Sequence, residues 1–133
     1  MSSDDNIKTI QSVYEAFQRG DVGAIVDAVA DDVDWASEAA GSAAPWWGEK
    51  HGPAEVGEFF QAFGSTMEVE EFTPLVLAGT GDDVLAVVRF RVKSRATGRS
   101  AAMNLHHHFT FRDGKIASYR GSEDTQVVAE TLA

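Results

Sequence analysis

The sequence predicts an α+β fold in which a curved antiparallel sheet packs on three helices of the N-terminal half. Apolar residues recur every three or four positions in the first part of the chain, which is typical of helices. From about Glu68 onward the apolar period changes to two, which is typical of strands with one buried face. Helices followed by long paired strands predict helices on one face of the sheet, with a concave space between the layers for a small ligand.

Three apolar stripes at helical spacing predict the helices, and the first and third have start or stop signals. The first stripe has Ser and Asp caps before it and Gly20 after it. It consists of Ile7, Ile10, Val13, Tyr14 and Phe17. The second consists of Val22, Ile25, Val26 and Val29. The third begins near Pro53 and consists of Val56, Phe59, Phe60 and Phe63. Residues 31–37 are predicted to form a short strand, and residues 38–53 a long loop.

Strict alternation predicts the long strands of the second half. The inward residues of one strand are Val84, Ala86, Val88, Phe90 and Val92. Those of the next are Met103, Leu105, His107, Phe109 and Phe111. The segment "RDGK" supplies the Asp-Gly turn expected before a last strand from Ile116 to about Glu123. The residues after it are compatible with a short helix or with a frayed tail.

Composition excludes several classes of function. The 133 residues are expected to form one domain, 1–133. The net charge of −10 disfavours nucleic acid and anionic membranes as partners. The absence of cysteine excludes thiol catalysis and thiolate metal sites. The opening residues do not resemble a signal peptide, and no apolar run has membrane-spanning length, so we expect a cytoplasmic protein.

Four segments carry a resemblance to a known family: "FQRGDVGAIVDAVADDVDW", "GEKHGPAEVGEFFQAF", "RATGR" and "HFTFRDGKI". Their order and spacing resemble the nuclear transport factor 2-like superfamily, and within it the SnoaL-like and ketosteroid-isomerase-related proteins. The resemblance implies a cone-shaped fold with an internal pocket and a homodimer packed through the outer sheet face. It implies no single activity, because this fold supports several chemistries and non-catalytic binding.

The catalytic groups of these relatives are largely replaced in this sequence. Alignment to ketosteroid isomerases puts Ser37 at the position of the base and Val13 at that of the oxyanion tyrosine. His107 stands at the position of their second aspartate and matches a histidine of the SnoaL-type cyclases. Gly121 occupies the position of the cyclase acid, and Glu123, two residues along, shares its predicted face. Conventional ketosteroid isomerisation is therefore not expected.

His107 and Glu123 are the candidate catalytic residues. His107 lies in the apolar register of its strand, where a neutral imidazole can exchange a proton or a hydrogen bond with a ligand. Glu123 near apolar walls would have a raised pKa and could act as acid or base. The remaining candidates are apolar or aromatic and are expected to form the ligand-binding walls. They are Trp35, Trp46, Trp47, Phe59, Phe63, Val88, Phe90, Met103, Leu105, Phe109 and Tyr119.

Other side chains have structural interpretations that compete with functional ones. Trp46 and Trp47 form either a lid over the ligand or an anchor for a partner chain. His106 and His108 share the outer face of their strand, where surface or dimer contacts are favoured over metal binding. Two imidazoles alone would bind a metal weakly, but a dimer axis could bring four such histidines together, which keeps a metal site open. Glu38 is interpreted as a surface charge.

The predicted function is the binding of a small, largely apolar molecule. The catalytic version is an isomerase, cyclase or hydratase that uses no metal and no organic cofactor and acts on a carbonyl or hydroxyl compound. Two alternatives remain open: a non-catalytic ligand carrier, and a dimeric module for protein interaction. A structure with a void beneath the sheet and His107 facing it would favour the catalytic version or the ligand carrier over the protein-interaction module.

Overall fold

Six strands form one mixed sheet in the computed structural model, which describes residues 2–133. The helices within those residues are α1 (Ser3–Gln18), α2 (Val22–Val26), α3 (Gly52–Thr66) and α4 (Thr125–Leu132). The strands are β1 (Val29–Ser37), β2 (Glu49–His51), β3 (Met67–Thr80), β4 (Asp83–Ser94), β5 (Ser100–Arg112) and β6 (Lys115–Ser122). The strand order is β2-β1-β6-β5-β4-β3. The predicted α+β fold is confirmed.

Local interactions explain where the helices begin. At α1 the Ser2 hydroxyl accepts the Asp5 backbone N–H at 3.1 Å, and the Asp5 side chain bonds back to Ser2, forming a capping box. At α3, Pro53 occupies the first turn, where its missing N–H leaves no intrahelical hydrogen bond unmade. The Glu55 carboxylate accepts the His51 backbone N–H at 3.0 Å. These contacts fix the starts of the two helices that cover the sheet.

The sheet is antiparallel except at one pairing. β1 runs parallel to β6, with Trp35 opposite Tyr119 and Ser37 opposite Gly121. A parallel pairing requires a long crossover, and here residues 38–114 provide it. Register shifts between Thr110 and Phe111, and others along β3, act as bulges that bend the strands. The curved sheet therefore wraps around the helices on its inner face.

The turn and the alternation of β5 agree with the sequence prediction. Asp113 and Gly114 both have positive φ, 53° and 78°, as a type I′ turn between paired strands requires. Leu105 and Phe109 are buried on the inner face of β5, whereas His106 and His108 are exposed on the outer face. The predicted register of the strand that carries His107 is therefore confirmed.

Two segments differ from the predicted element boundaries, and the last residues adopt one of their two predicted alternatives, the short helix. Residues 49–51, assigned to the long loop, form β2 and pair with β1 through three residue pairs. The second helix ends at Val26, and Val29 opens β1 instead. The last residues form the helix α4, whose N-cap Asp124 accepts the Val127 N–H at 3.1 Å. No helix within residues 2–133 is long and apolar enough to span a membrane.

Candidate functional site

A cavity of about 90 Å³ lies between the inner face of the sheet and helices α1 and α3. This volume is several times the space that one water molecule needs, and below that of sites for drug-sized ligands. Most of its walls are aromatic rings. The cavity therefore suits one small apolar molecule, and a larger ligand would require a wall to move.

Ten of the predicted site residues line this cavity. They are Trp35, Trp46, Phe59, Phe63, Phe90, Leu105, His107, Phe109, Tyr119 and Glu123. They come from β1, the loop before β2, α3, β4, β5, β6 and the residue after β6. Inward-facing positions of one curved sheet converge on the same space, which is why strand alternation found most of them.

Three predicted wall residues lie outside the lining of the cavity. Val88 is fully buried in the core between the sheet and the helices. Met103 is buried near the end of the strand, where its sulfur accepts the Asp124 backbone N–H at 3.4 Å. Trp47 packs beside Gly41, and its buried indole N–H has no hydrogen-bond partner within residues 2–133. The inward-facing position of a residue in its strand therefore did not distinguish a core residue from a residue of the cavity wall.

Eight lining residues were not among the predicted site residues. They are Val13, Tyr14, Phe17, Ser37, Phe60, Phe72, Gly121 and Ser122. Tyr14, Phe17 and Phe60 were recognised as apolar helix positions, but helical periodicity does not reveal which of them meet a void. Ser37 was identified only by alignment, as the replacement of a base. Phe72 lies on β3, whose edge position weakens the burial pattern that would have revealed it.

His107 is held by a hydrogen bond to the first helix. Its Nδ1 atom lies 2.7 Å from the Tyr14 hydroxyl oxygen. Burial, with a smaller contribution from nearby His106, lowers the pKa of His107 to about 4, so the ring is neutral near pH 7. Part of the imidazole stays accessible, because the ring borders the cavity. Its Nε2 atom has no hydrogen-bond partner within residues 2–133 and is not sealed from open space.

Glu123 reaches the cavity from the residue after β6. Its Oε1 accepts the Trp46 indole N–H at 3.3 Å. Burial raises the pKa of Glu123, and the indoles of Trp46 and Trp47 oppose that rise. Only the Trp46 contact has hydrogen-bond geometry. No carboxylate in the described chain is hydrogen-bonded to His107, so the two candidate catalytic residues share a cavity without forming a dyad.

Trp46 and Trp47 are buried within a single chain. Their exposed fractions are 3% and 8%, and Trp46 packs edge-on against Phe63 at a centroid distance of 5.1 Å. Neither indole is therefore free to anchor a partner chain. Trp46 closes one side of the cavity, as the lid interpretation requires, and Trp47 lies behind it.

The outer histidines and the surface charges lie away from this cavity. His108 Nε2 is 2.9 Å from an Asp83 carboxylate oxygen. Glu38 is exposed and lies 3.9 Å from Arg120, so it is a surface charge. No group of three His, Cys, Asp or Glu side chains in residues 2–133 is arranged to hold a metal ion.

Comparison with known proteins places this geometry in a family. Residues 10–119, most of the chain, match the model of the SnoaL-like domain. No curated protein matches the chain.

Three solved structures share the architecture over nearly the full length of both chains. An NTF2-like protein of unknown function from Burkholderia pseudomallei is 28% identical, with a TM-score of 0.90 and coverage of 100% of this chain and 99% of that one. An NTF2-like protein from Burkholderia xenovorans is 23% identical, with a TM-score of 0.88 and the same coverage. TerC, co-crystallised with polyporic acid, is 25% identical, with a TM-score of 0.84 and coverage of 96% and 98%. The curved sheet over helices is thus common to all four chains.

Proposed function

We propose that this chain, which belongs to the SnoaL-like domain family, binds a small apolar carbonyl or hydroxyl compound in the cavity beneath its sheet. In the catalytic version it is an isomerase, cyclase or hydratase that needs neither metal nor organic cofactor. The observation that carries this proposal is the cavity itself. Aromatic walls enclose it, and two titratable side chains, His107 and Glu123, border it.

The proposed role of His107 follows from its neutral state. An imidazole with a pKa of about 4 is a poor base near pH 7, but its Nε2–H can donate to a ligand oxygen when Nδ1 accepts from the Tyr14 hydroxyl. A donor in an apolar site stabilises negative charge that develops on that oxygen. His107 would therefore polarise a carbonyl, or hold an enolate or phenolate, with Tyr14 fixing its tautomer.

Glu123 is the proposed proton acceptor. Burial raises its pKa towards the neutral range, which strengthens a carboxylate as a base, while the Trp46 indole fixes one of its oxygens. A proton removed from a ligand carbon or hydroxyl would pass to Glu123 as charge forms on the oxygen near His107. The two groups then act on opposite ends of one small molecule, so direct contact between them is not required.

A non-catalytic carrier is the second candidate function. It is favoured by the missing dyad, because His107 contacts a tyrosine and no carboxylate, and by Gly121 at the position of the cyclase acid. The same cavity and the same polar contacts would then serve binding alone. Turnover distinguishes the two functions, since both predict a ligand.

A thermal-shift screen tests the proposal. The main probes are phenols and polyketide fragments of one ring, which match the cavity of about 90 Å³. Steroids, fatty acids and polyporic acid, the compound co-crystallised with TerC, are the larger probes, which would bind only if a wall moves. A specific ligand should raise the unfolding midpoint of the wild type by mass action. We expect His107→Ala and Glu123→Gln to weaken that shift and His106→Ala, on the outer face, to preserve it. A shift that survives in His107→Ala would contradict a role for the imidazole, and turnover in the wild type would exclude the carrier.

We also propose that the protein forms a homodimer through the outer sheet face. Val76 and Leu85 are about half exposed there, and with His106 and His108 they border an open groove that crosses four strands. Exposed apolar side chains on a sheet face are typical of an interface. Leu85→Glu should dissociate the dimer in analytical ultracentrifugation, whereas Gln61→Glu, exposed on α3, should not. A wild type that is monomeric at all concentrations would end this part of the proposal.

A further inference from the structure

We infer that the Tyr119 hydroxyl is a second hydrogen-bond donor of this cavity. Together with the His107 imidazole it would select a ring-sized apolar ligand that carries an acceptor oxygen. This inference rests on the proposed function and narrows its ligand class to phenols, enols and conjugated carbonyl compounds. It is carried by the position of the Tyr119 ring, by the space over Gly121 and by the absence of any other partner for the hydroxyl.

Aromatic neighbours fix the ring of Tyr119 on several sides. It stacks on Trp35 with centroids 4.1 Å apart and an interplanar angle of 28°. Phe109 lies at 5.1 Å and the His107 ring meets it edge-on at 5.4 Å. Because the ring is wedged in this way, its hydroxyl has one position in the cavity rather than several.

Gly121 makes room for that hydroxyl. A Cβ atom at residue 121 would lie 2.6 Å from Tyr119 Cζ and would overlap the hydroxyl oxygen itself. The hydroxyl therefore lies directly over the backbone of Gly121, on the inner face of β6. Gly121 pairs with His107 across the β5–β6 ladder, so the Tyr119 hydroxyl and the imidazole occupy neighbouring positions on the same wall.

The Tyr119 hydroxyl is an unused donor. It makes no hydrogen bond to any described residue, and it is not among the polar atoms sealed from open space. Burial, with smaller contributions from Tyr14 and Glu123, raises the pKa of Tyr119, so the hydroxyl keeps its proton. Tyr14 differs, because its hydroxyl is already paired with His107. When His107 Nδ1 accepts from the Tyr14 hydroxyl, Tyr119 Oη–H and His107 Nε2–H are two free donors on one apolar wall.

The size of the cavity limits the ligand to about one ring. An apolar cavity of about 150 Å³ accommodates benzene in another protein, and this cavity is of the same order at about 90 Å³. A ring fits between the aromatic walls. A hydrocarbon ring, however, would leave the Tyr119 hydroxyl and the His107 imidazole without an acceptor. An oxygen on the ring would accept from these donors, so we expect an oxygenated ligand to be preferred to a hydrocarbon of the same shape.

Two probes of matched shape test this selectivity. 4-Chlorophenol and 4-chlorotoluene differ by a hydroxyl in place of a methyl group, and quenching of the cavity tryptophans reports their binding. The measured quantity is the ratio of the two Kd values, phenol over toluene. Tyr119→Phe keeps the ring and removes the donor. We therefore expect the Kd of 4-chlorophenol to rise and that of 4-chlorotoluene to stay the same or fall, so that the ratio rises about tenfold.

Gly121→Ala provides a second variant that keeps the hydroxyl but displaces it. The added Cβ pushes the end of the Tyr119 ring away, so the Kd ratio should rise in this variant too. Gly64→Ala is the matched control, since a Cβ at that helical position meets nothing within 4 Å. We expect it to leave the ratio at the wild-type value.

The outcomes separate this inference from the proposed function. If the wild type binds both probes and Tyr119→Phe leaves their Kd ratio unchanged, the role of Tyr119 is overturned and the binding cavity is retained. If the wild type binds neither probe, both the donor role and the proposed small-molecule site are overturned. A raised ratio in Tyr119→Phe and Gly121→Ala, with Gly64→Ala unchanged, supports the inference.

Discussion

The two faces of β5 carry the same residue type in opposite environments. His106, His107 and His108 are consecutive, and the alternation of the strand sends the middle one inward and its neighbours outward. His107 borders the cavity and bonds to Tyr14, whereas His108 pairs with the Asp83 carboxylate at the surface. Three identical side chains on one strand thus lie in two different environments, a cavity wall and the protein surface.

This difference shows that the face of β5 on which a histidine lies, and not its residue type, determines its protonation state and its hydrogen-bond partners. On the inner face, desolvation lowers the pKa of His107 to about 4 and keeps the ring neutral. On the outer face, the hydrogen bond from His108, followed by that from Thr110, lowers the pKa of Asp83 in a solvated setting. Burial sets the pKa of His107, whereas a local hydrogen-bond partner sets that of Asp83. Substitutions on the two faces should therefore change the free energy of unfolding by different amounts and with different pH dependence.

The largest expected effect is the loss of an inner-face ring. Phe109 is 1% exposed and contacts the aromatic walls of the cavity. Phe109→Ala should lower the free energy of unfolding by about 3–5 kcal/mol, because it removes apolar burial and enlarges a void. Urea denaturation measures this quantity. On the outer face, His106→Ala should stay within about 0.5 kcal/mol of the wild type, and equal losses would contradict the comparison.

The second effect is a pH dependence specific to His107. In the unfolded chain a histidine has a pKa near 6.5, and in the fold that of His107 is about 4. The unfolded state therefore binds more protons between these values. Stability should fall as the pH drops from about 6.5 to about 4, by up to about 3 kcal/mol.

A difference measurement isolates this contribution. Carboxylates that titrate in the same range contribute equally to the wild type and to His107→Gln, and so cancel when the two unfolding free energies are subtracted. We expect the wild type to lose stability relative to His107→Gln as the pH falls. A flat difference between pH 7 and pH 4 would mean that His107 is not desolvated in the folded protein.

A third prediction concerns the tyrosine that holds His107. Tyr14→Phe leaves Nδ1 of the imidazole without its partner on the buried side, so it should cost about 1–3 kcal/mol of stability. Tyr119→Phe is the matched control, because its hydroxyl has no partner in the described chain and its removal should cost less. Urea denaturation of both variants at pH 7 measures the difference. Equal costs would refute the assigned hydrogen bonding.

The smallest effect belongs to the outer pair. Asp83 accepts hydrogen bonds from His108 at 2.9 Å and Thr110 at 3.0 Å, and all three residues are partly solvated. Asp83→Asn should lower stability by less than about 1 kcal/mol, and added salt should shrink the difference. Asp83 and Thr110 lie outside the groove proposed as the dimer interface, so this prediction does not depend on the dimer. A loss as large as that of Tyr14→Phe would contradict the solvated setting assigned to the Asp83 carboxylate.

Much of the fold could be predicted because its signals are local. The Asp-Gly turn, the alternation of β4 and β5 and the apolar stripes of α1 and α3 depend on residues close together in sequence, and the structure confirms them. β2 was missed because residues 49–51 are short and polar, and they become a strand only by pairing with β1. The parallel pairing of β1 with β6 joins segments about eighty residues apart, and no local pattern encodes that contact.

The cavity was predicted less completely than the strands that surround it. The alternation of the strands correctly predicted that His107, Leu105 and Phe109 line the cavity. It also predicted Val88 and Met103 as lining residues, but these two lie in the core. Whether an inward side chain meets another side chain or a void depends on the volumes contributed by all elements together. The hydrogen bond between Tyr14 and His107 joins residues 93 positions apart, so it could not be foreseen from either segment.

The sequence by itself determined the α+β class, the strand register and the inward direction of His107, because periodicity and turn chemistry act over a few residues. Only the tertiary structure decided that Tyr14 holds His107, that Trp46 reaches Glu123 and that the Tyr119 hydroxyl lies over Gly121. Two of these contacts join distant elements, and the third depends on the ring of Trp35 against which Tyr119 is stacked. Their geometry is fixed by packing, which is a property of the whole folded chain.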